Sequence, residues 1–117
     1  MIRRLAFAAA LILSAPVWTD GLHAENEAAV TLTSRVEQGK KVWSPDSITV
    51  TKGQTINLTL RNETDVVHGF SIDVLEIRRE VMGGSQIEFI FTAKEAGEFR
   101  YYCHLHPAHG GGTLTVK

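Results

Sequence analysis

Phe99-Arg100-Tyr101-Tyr102-Cys103-His104-Leu105-His106-Pro107-Ala108-His109-Gly110-Gly111-Gly112-Thr113-Leu114-Thr115-Val116 is the stretch that decides the fold. It begins by alternating: Phe99, Tyr101 and Cys103 fall on one side and Arg100, Tyr102 and His104 on the other, the period of two that marks a half-buried strand. It ends by alternating again, with Leu114 and Val116 opposite Thr113 and Thr115. The loop between them is stiffened by Pro107, which fixes φ and removes a donor. Gly110, Gly111 and Gly112 are expected to give the backbone freedom to turn into the last strand.

Upstream the same period recurs at Val30, Leu32 and Val36, at Ile48 and Val50, at Ile56, Leu58 and Leu60, and at Ile87, Phe89 and Phe91. Turn residues separate these runs at Ser44-Pro45-Asp46, Lys52-Gly53, Asn62-Glu63, Gly83-Gly84 and Ala96-Gly97. No segment carries a long 3.6-residue period, and the best helical candidate, residues 74–82, allows a turn or two before two glycines. Several short alternating strands at this spacing predict an all-β Greek-key β-sandwich.

The chain has 117 residues, 12 basic and 13 acidic, which is one domain's worth of sequence. A charge near zero without a basic block argues against a nucleic-acid binder that works by neutralising phosphates. The single Cys excludes an intramolecular disulfide framework, and with it iron–sulfur clusters and zinc ribbons. At the amino terminus, Arg3 and Arg4 precede an apolar run at residues 5–13, and Leu22-His23-Ala24 offers a small-residue cleavage site. Residues 1–24 therefore read as a signal peptide and residues 25–117 as the exported, periplasmic domain. An uncleaved anchor is the rival reading, but the run is short of the ~20 residues of a span, and Pro16 and Asp20 interrupt it. After cleavage no stable membrane insertion is expected. Loss of Arg3, Arg4 and Asp20 leaves 93 residues with 10 basic and 12 acidic side chains.

In an oxidising compartment a lone thiol needs an explanation. Cys103 closes a strand on its inward side, His106 follows after two residues, and His109 after two more; His68 lies 35 residues upstream at the head of another strand-like run. One thiolate and two imidazoles with a variable fourth ligand suit a single copper ion cycling between Cu(I) and Cu(II). Cys with three His also satisfies tetrahedral zinc, and His68 alone would read as a core histidine. His104 falls on the opposite side of the strand from Cys103, which reads as an exposed residue or one supporting the ligands from behind.

Residues 62–117 resemble the cupredoxins, the small blue-copper proteins. The loop Cys103-x2-His106-Pro107 after an upstream His68 is similar to the amicyanin/plastocyanin type, and the phrase Ala96-Gly97-Glu98-Phe99-Arg100-Tyr101-Tyr102-Cys103 fits as well. The resemblance implies His68, Cys103 and His106 as in-plane ligands, with Asn62 hydrogen-bonded toward the cysteine loop. His109 stands where that family places an axial Met, as in nitrosocyanin, a red-copper relative. An imidazole there implies a lower potential and a colour moved from blue toward green or red. The function implied is a periplasmic one-electron carrier between redox partner proteins. Copper capture or tolerance, and a red-copper-like site acting on a small molecule, are the alternatives.

Overall fold

The computed structural model describes residues 26–117, so the expected signal peptide lies outside the described residues. Nine strands follow one another: β1 (Glu27–Glu37), β2 (Lys40–Ser44), β3 (Ser47–Val50), β4 (Thr55–Asn62), β5 (His68–Ile72), β6 (Ile77–Val81), β7 (Gln86–Thr92), β8 (Gly97–Tyr101) and β9 (Gly112–Val116). They form a four-stranded sheet in the order β2-β1-β4-β7, a three-stranded sheet in the order β3-β9-β8, and the hairpin β5-β6. The sheets are mixed, since β1 pairs parallel with β4, and β3 parallel with β9. The hairpin continues the smaller sheet, because Ser71 exchanges both backbone hydrogen bonds with Tyr102, at 2.9 and 3.1 Å. The all-β sandwich expected from the alternation is the fold observed.

The alternation places the core. In β4, Ile56, Leu58 and Leu60 point inward and are nearly solvent-free, while Asn57 and Arg61 point out. Across the sandwich they face Phe70, Ile72, Tyr101 and Leu114. Trp43 in β2, wholly buried, fills the end of this core against Phe70 at a ring distance of 5.6 Å.

Four inward rows run out into polar residues toward one end of the sandwich. Val30 and Leu32 of β1 are followed by Ser34, and Leu60 of β4 by Asn62, and Ser34 and Asn62 are partners in register. Phe70 of β5 is preceded by His68, and Tyr101 of β8 is followed by Cys103. An apolar core that ends in four buried polar side chains at one place marks that place for chemistry, since burying polar groups is costly unless they are used or paired.

Two expectations need correction. Residues 74–82 are no helix: a 3-10 turn at Asp73–Leu75 ends at Glu76 in the left-handed region (φ 57°), and β6 then pairs with the strand that carries His68. Left-handed backbone at Glu76 breaks helical propagation, and the ladder to β5 satisfies the backbone groups instead. Nor do the glycines at 110–112 serve by positive φ. Gly111 is needed for space, because a Cβ there would run into the carbonyl oxygen of Tyr101.

Leu60 is wholly buried and Ile90 of β7 is 67% exposed. Leu60→Ala should therefore cost about 2–5 kcal/mol of unfolding free energy, whereas Ile90→Ala should stay within about 0.5 kcal/mol of the parent. Urea denaturation of both variants checks the assignment of the two faces.

Candidate metal centre

The cysteine loop is held at both ends by backbone pairs. Tyr102 is tied to Ser71, and Gly110 is tied to β2, donating to the Lys41 carbonyl (2.9 Å) and accepting from Trp43 N–H (2.8 Å). Within it His109 N–H donates to the His106 carbonyl at 3.0 Å, the short turn that the two-residue spacing implied. Tyr102 adds a hydroxyl bond of 2.7 Å to Asp73.

These ties bring His68, Cys103 and His106 together, their ligand atoms all within 4.8 Å of one another. Cys103 Sγ lies 3.9 Å from His68 Nδ1 and 3.7 Å from His106 Nδ1. Metal bonds of about 2.0–2.1 Å to imidazole and about 2.3 Å to thiolate, joined by the cosine rule to those separations, subtend roughly 115–130° at the metal. Both sulfur-to-imidazole separations are thus ones a single ion could bridge, and one thiolate with two imidazoles is a donor set that fits copper. His68 and Cys103 are buried, while His106 alone of the three reaches solvent, beside the half-exposed Leu105.

Gly69 organises the sulfur. Its N–H points at Cys103 Sγ (3.2 Å) and its carbonyl accepts the indole N–H of Trp43 (3.0 Å), so the strand cannot swing away without breaking a buried bond. An N–H aimed at a ligating sulfur stabilises negative charge there and is one control on such a site. Gly69 must lack a side chain because the His104 imidazole lies over it: a Cβ would sit 2.5 Å from His104 Cε1. His104 is thus not exposed. Its side chain is 4% accessible, Nδ1 is 2.7 Å from the Ser71 hydroxyl, and the buried Nε2 has no hydrogen-bond partner among the described residues, with a Glu80 carboxylate oxygen 4.0 Å away.

Asn62 also departs from expectation. Its amide donates to the carbonyls of Val66 (2.8 Å) and Val81 (2.9 Å), and its Oδ1 accepts from the Thr64 N–H (3.0 Å) and hydroxyl (2.7 Å). Among the described residues none of these bonds reaches the cysteine loop. Asn62 steadies the segment leading into His68 instead, because the turn after β4 folds back over it.

His109 is buried beside the cluster, 4.5 Å ring to ring from His68, but its nitrogens are not gathered with the other three. Nδ1 is 3.0 Å from the Gly110 carbonyl and Nε2 is 2.8 Å from the Ser34 hydroxyl. Neither Ser34, Trp43 nor Gly69 was singled out from sequence. The signal available was small: Ser34 is a polar residue at the inward parity of β1, and Trp43 is an indole next to a turn.

Burial, reinforced by His109, His106 and Lys41, lowers the pKa of His68 to about 4. Burial is also the main cause of the lowered values of His104 and His109. His68 is therefore neutral at pH 7 with an available lone pair, as a metal ligand must be.

Sequence comparison now adds the family. The model described as a cupredoxin-like domain matches residues 5–116, and the chain belongs to that family. Cytochrome c oxidase subunit 2 of Thermus thermophilus is 33% identical over 79 residues, covering 64% of this chain and 58% of that protein. The chain thus spans little more than half the length of that curated relative. Auracyanin A, a blue copper protein of Chloroflexus aurantiacus, superposes with a TM-score of 0.62 at 18% identity over 78% of this chain and 99% of its own. The purple cupredoxin of Nitrosopumilus maritimus gives a TM-score of 0.57 at 25% identity, over 75% and 99%. With this fold, His68, Cys103 and His106 are arranged as a single copper site.

Two outcomes follow from the geometry. The folded metal-free protein keeps His68, His104 and His109 neutral below the pH at which the unfolded chain protonates them. Its stability should be greatest above about pH 6.5 and should fall as the pH is lowered from there toward 4, the same direction as a carboxylate-limited profile but beginning at higher pH. Thermal melts of apo-protein across that range measure it. Gly69→Ala should push His104 or β5 aside at a cost of about 1–3 kcal/mol, and His104→Ala in the same chain should recover most of that loss.

Proposed function

We propose that the chain is an exported one-electron carrier, with residues 1–24 a signal peptide and residues 25–117 the periplasmic copper domain. His68, Cys103 and His106 hold the metal, and the buried His109 packs beside them against His68. Copper, when bound, supplies the Cu(I)/Cu(II) couple. The observation that carries the reading is the asymmetry of burial: two ligands lie inside the sandwich and His106 alone faces out.

The chain's own residues make that arrangement suit electron transfer. The thiol and the His68 imidazole are held by strands and by clamped backbone, so the donor set keeps its shape between oxidation states. Water is excluded from the inner side by Trp43 and Phe70. At the outer side, His106 borders an open depression together with Lys40, Lys41 and Ala108. A partner protein docking there comes within contact of the His106 ring, and the two lysines favour one with carboxylates around its own redox centre. The relationship to an oxidase subunit and to blue-copper proteins supports a role with redox partners.

The test is the visible and paramagnetic-resonance spectrum of the Cu(II)-loaded protein, with metal content measured on the same sample. One copper per chain and an intense visible band are expected, and Cys103→Ser should abolish the band, because the charge transfer originates on sulfur. Electron exchange with an acidic redox protein should slow as salt is added. A colourless protein holding zinc, or copper with weak bands alone, would sink the carrier reading in favour of structural zinc or copper capture.

A further inference from the structure

The fourth position is the place where sequence and structure part company. A His at this point in the loop implies a strong axial ligand. The side chain in the fold is already committed on both edges. Nδ1 lies 3.0 Å from the Gly110 carbonyl, which can only accept, so that nitrogen carries the proton. In the neutral ring the lone pair is then on Nε2, and the Ser34 hydroxyl lies 2.8 Å from it and donates.

Ser34 is well placed to keep that bond. It is wholly buried in β1, its carbonyl accepts from Glu63 N–H at 2.9 Å, and it stands in register with Asn62. The His109 ring is confined between Trp43, at a ring distance of 5.6 Å, and His68, at 4.5 Å, and is 7% exposed. To offer Nε2 elsewhere, the ring would have to leave a buried serine hydroxyl unpaired, which is costly where water cannot replace the lost partner.

We propose that Ser34 is a positioning residue that holds the His109 lone pair and keeps this imidazole from acting as a strong axial ligand to copper. The inference rests on the copper reading of the site. It reverses the colour and potential that the sequence implied. A His2Cys set with a weak axial position is the blue arrangement, and loss of a strong axial donor raises the potential. His109 then serves as a packed, hydrogen-bonded wall.

The experiment uses the full chain loaded with Cu(II), in the parent and in Ser34→Ala, Ser34→Thr, His109→Ala and the Ser34→Ala/His109→Ala pair. Visible and paramagnetic-resonance spectra and the reduction potential are recorded for each. Nitrogen-15 spectra of the metal-free and Cu(I) forms report which nitrogen of His109 is protonated. The parent should be blue, and His109→Ala should leave the band position in place. Ser34→Ala should free Nε2, move the absorption toward green or red and lower the potential. Ser34→Thr, which retains the hydroxyl, should restore the parent's spectrum, and the double variant should be blue again, showing that the shift travels through His109. Should Ser34→Ala fail to fold, the His109→Ala spectrum and the nitrogen-15 tautomer still decide. A parent spectrum already green or red that turns blue in His109→Ala overturns the inference alone. A parent that binds no copper, or binds it without an intense band, overturns the copper reading and the inference together.

Discussion

Two backbone pairs on the cysteine loop carry the site. Tyr102 is sewn to Ser71 and Gly110 to Lys41 and Trp43, so a loop of a few residues is anchored to strands of both layers of the sandwich. Backbone groups must be satisfied wherever they are buried, so these pairs are obligatory once the sandwich closes. Everything else in the centre follows from that anchoring. It sets the separations of the three ligand atoms and brings Gly69 under the sulfur. It also leaves His106 as the one ligand with an open edge.

The same anchoring explains why the surroundings are glycine-rich and aromatic. Gly69 must be bare so that the His104 ring can close over it, and Gly111 must be bare so that the loop can pass the Tyr101 carbonyl. Trp43 reaches from the opposite sheet to the Gly69 carbonyl, so one indole both plugs the core and positions the peptide that faces the sulfur. Packing and chemistry are therefore not separable here. The residues that exclude water also fix the donor set, which is how a rigid site limits rearrangement on electron transfer.

Legibility in the sequence followed period and composition. The rows Ile56–Leu58–Leu60 and Phe99–Tyr101–Cys103 could be read directly, because a strand exposes alternate residues and the core takes one parity. The candidates His68, Cys103, His106 and His109 could be read from residue chemistry and spacing, since a lone thiol beside imidazoles is uncommon by chance, but which three converge could not. The strand at Ile77–Val81 could not, because Ile77-Arg78-Arg79-Glu80-Val81 shows no clean alternation and its pairing partner lies across a 3-10 turn. The partners of Asn62 were misjudged for a related reason: one buried amide can satisfy several backbones, and only the fold says which are near.

By itself the sequence determined the strand-built class and the inward parity of Cys103, and it set His68, His106 and His109 beside that thiol as candidate donors, all of which depend on local period and side-chain chemistry. Only the tertiary structure decided that His104 is buried over Gly69 and that Asn62 serves the His68 segment. It also gave the lone pair of His109 to Ser34, 75 residues away in the chain. The physical reason is range. Alternation and ligand type are properties of neighbours along the chain, whereas hydrogen bonds from buried polar groups are settled between strands that meet only when the sandwich has closed.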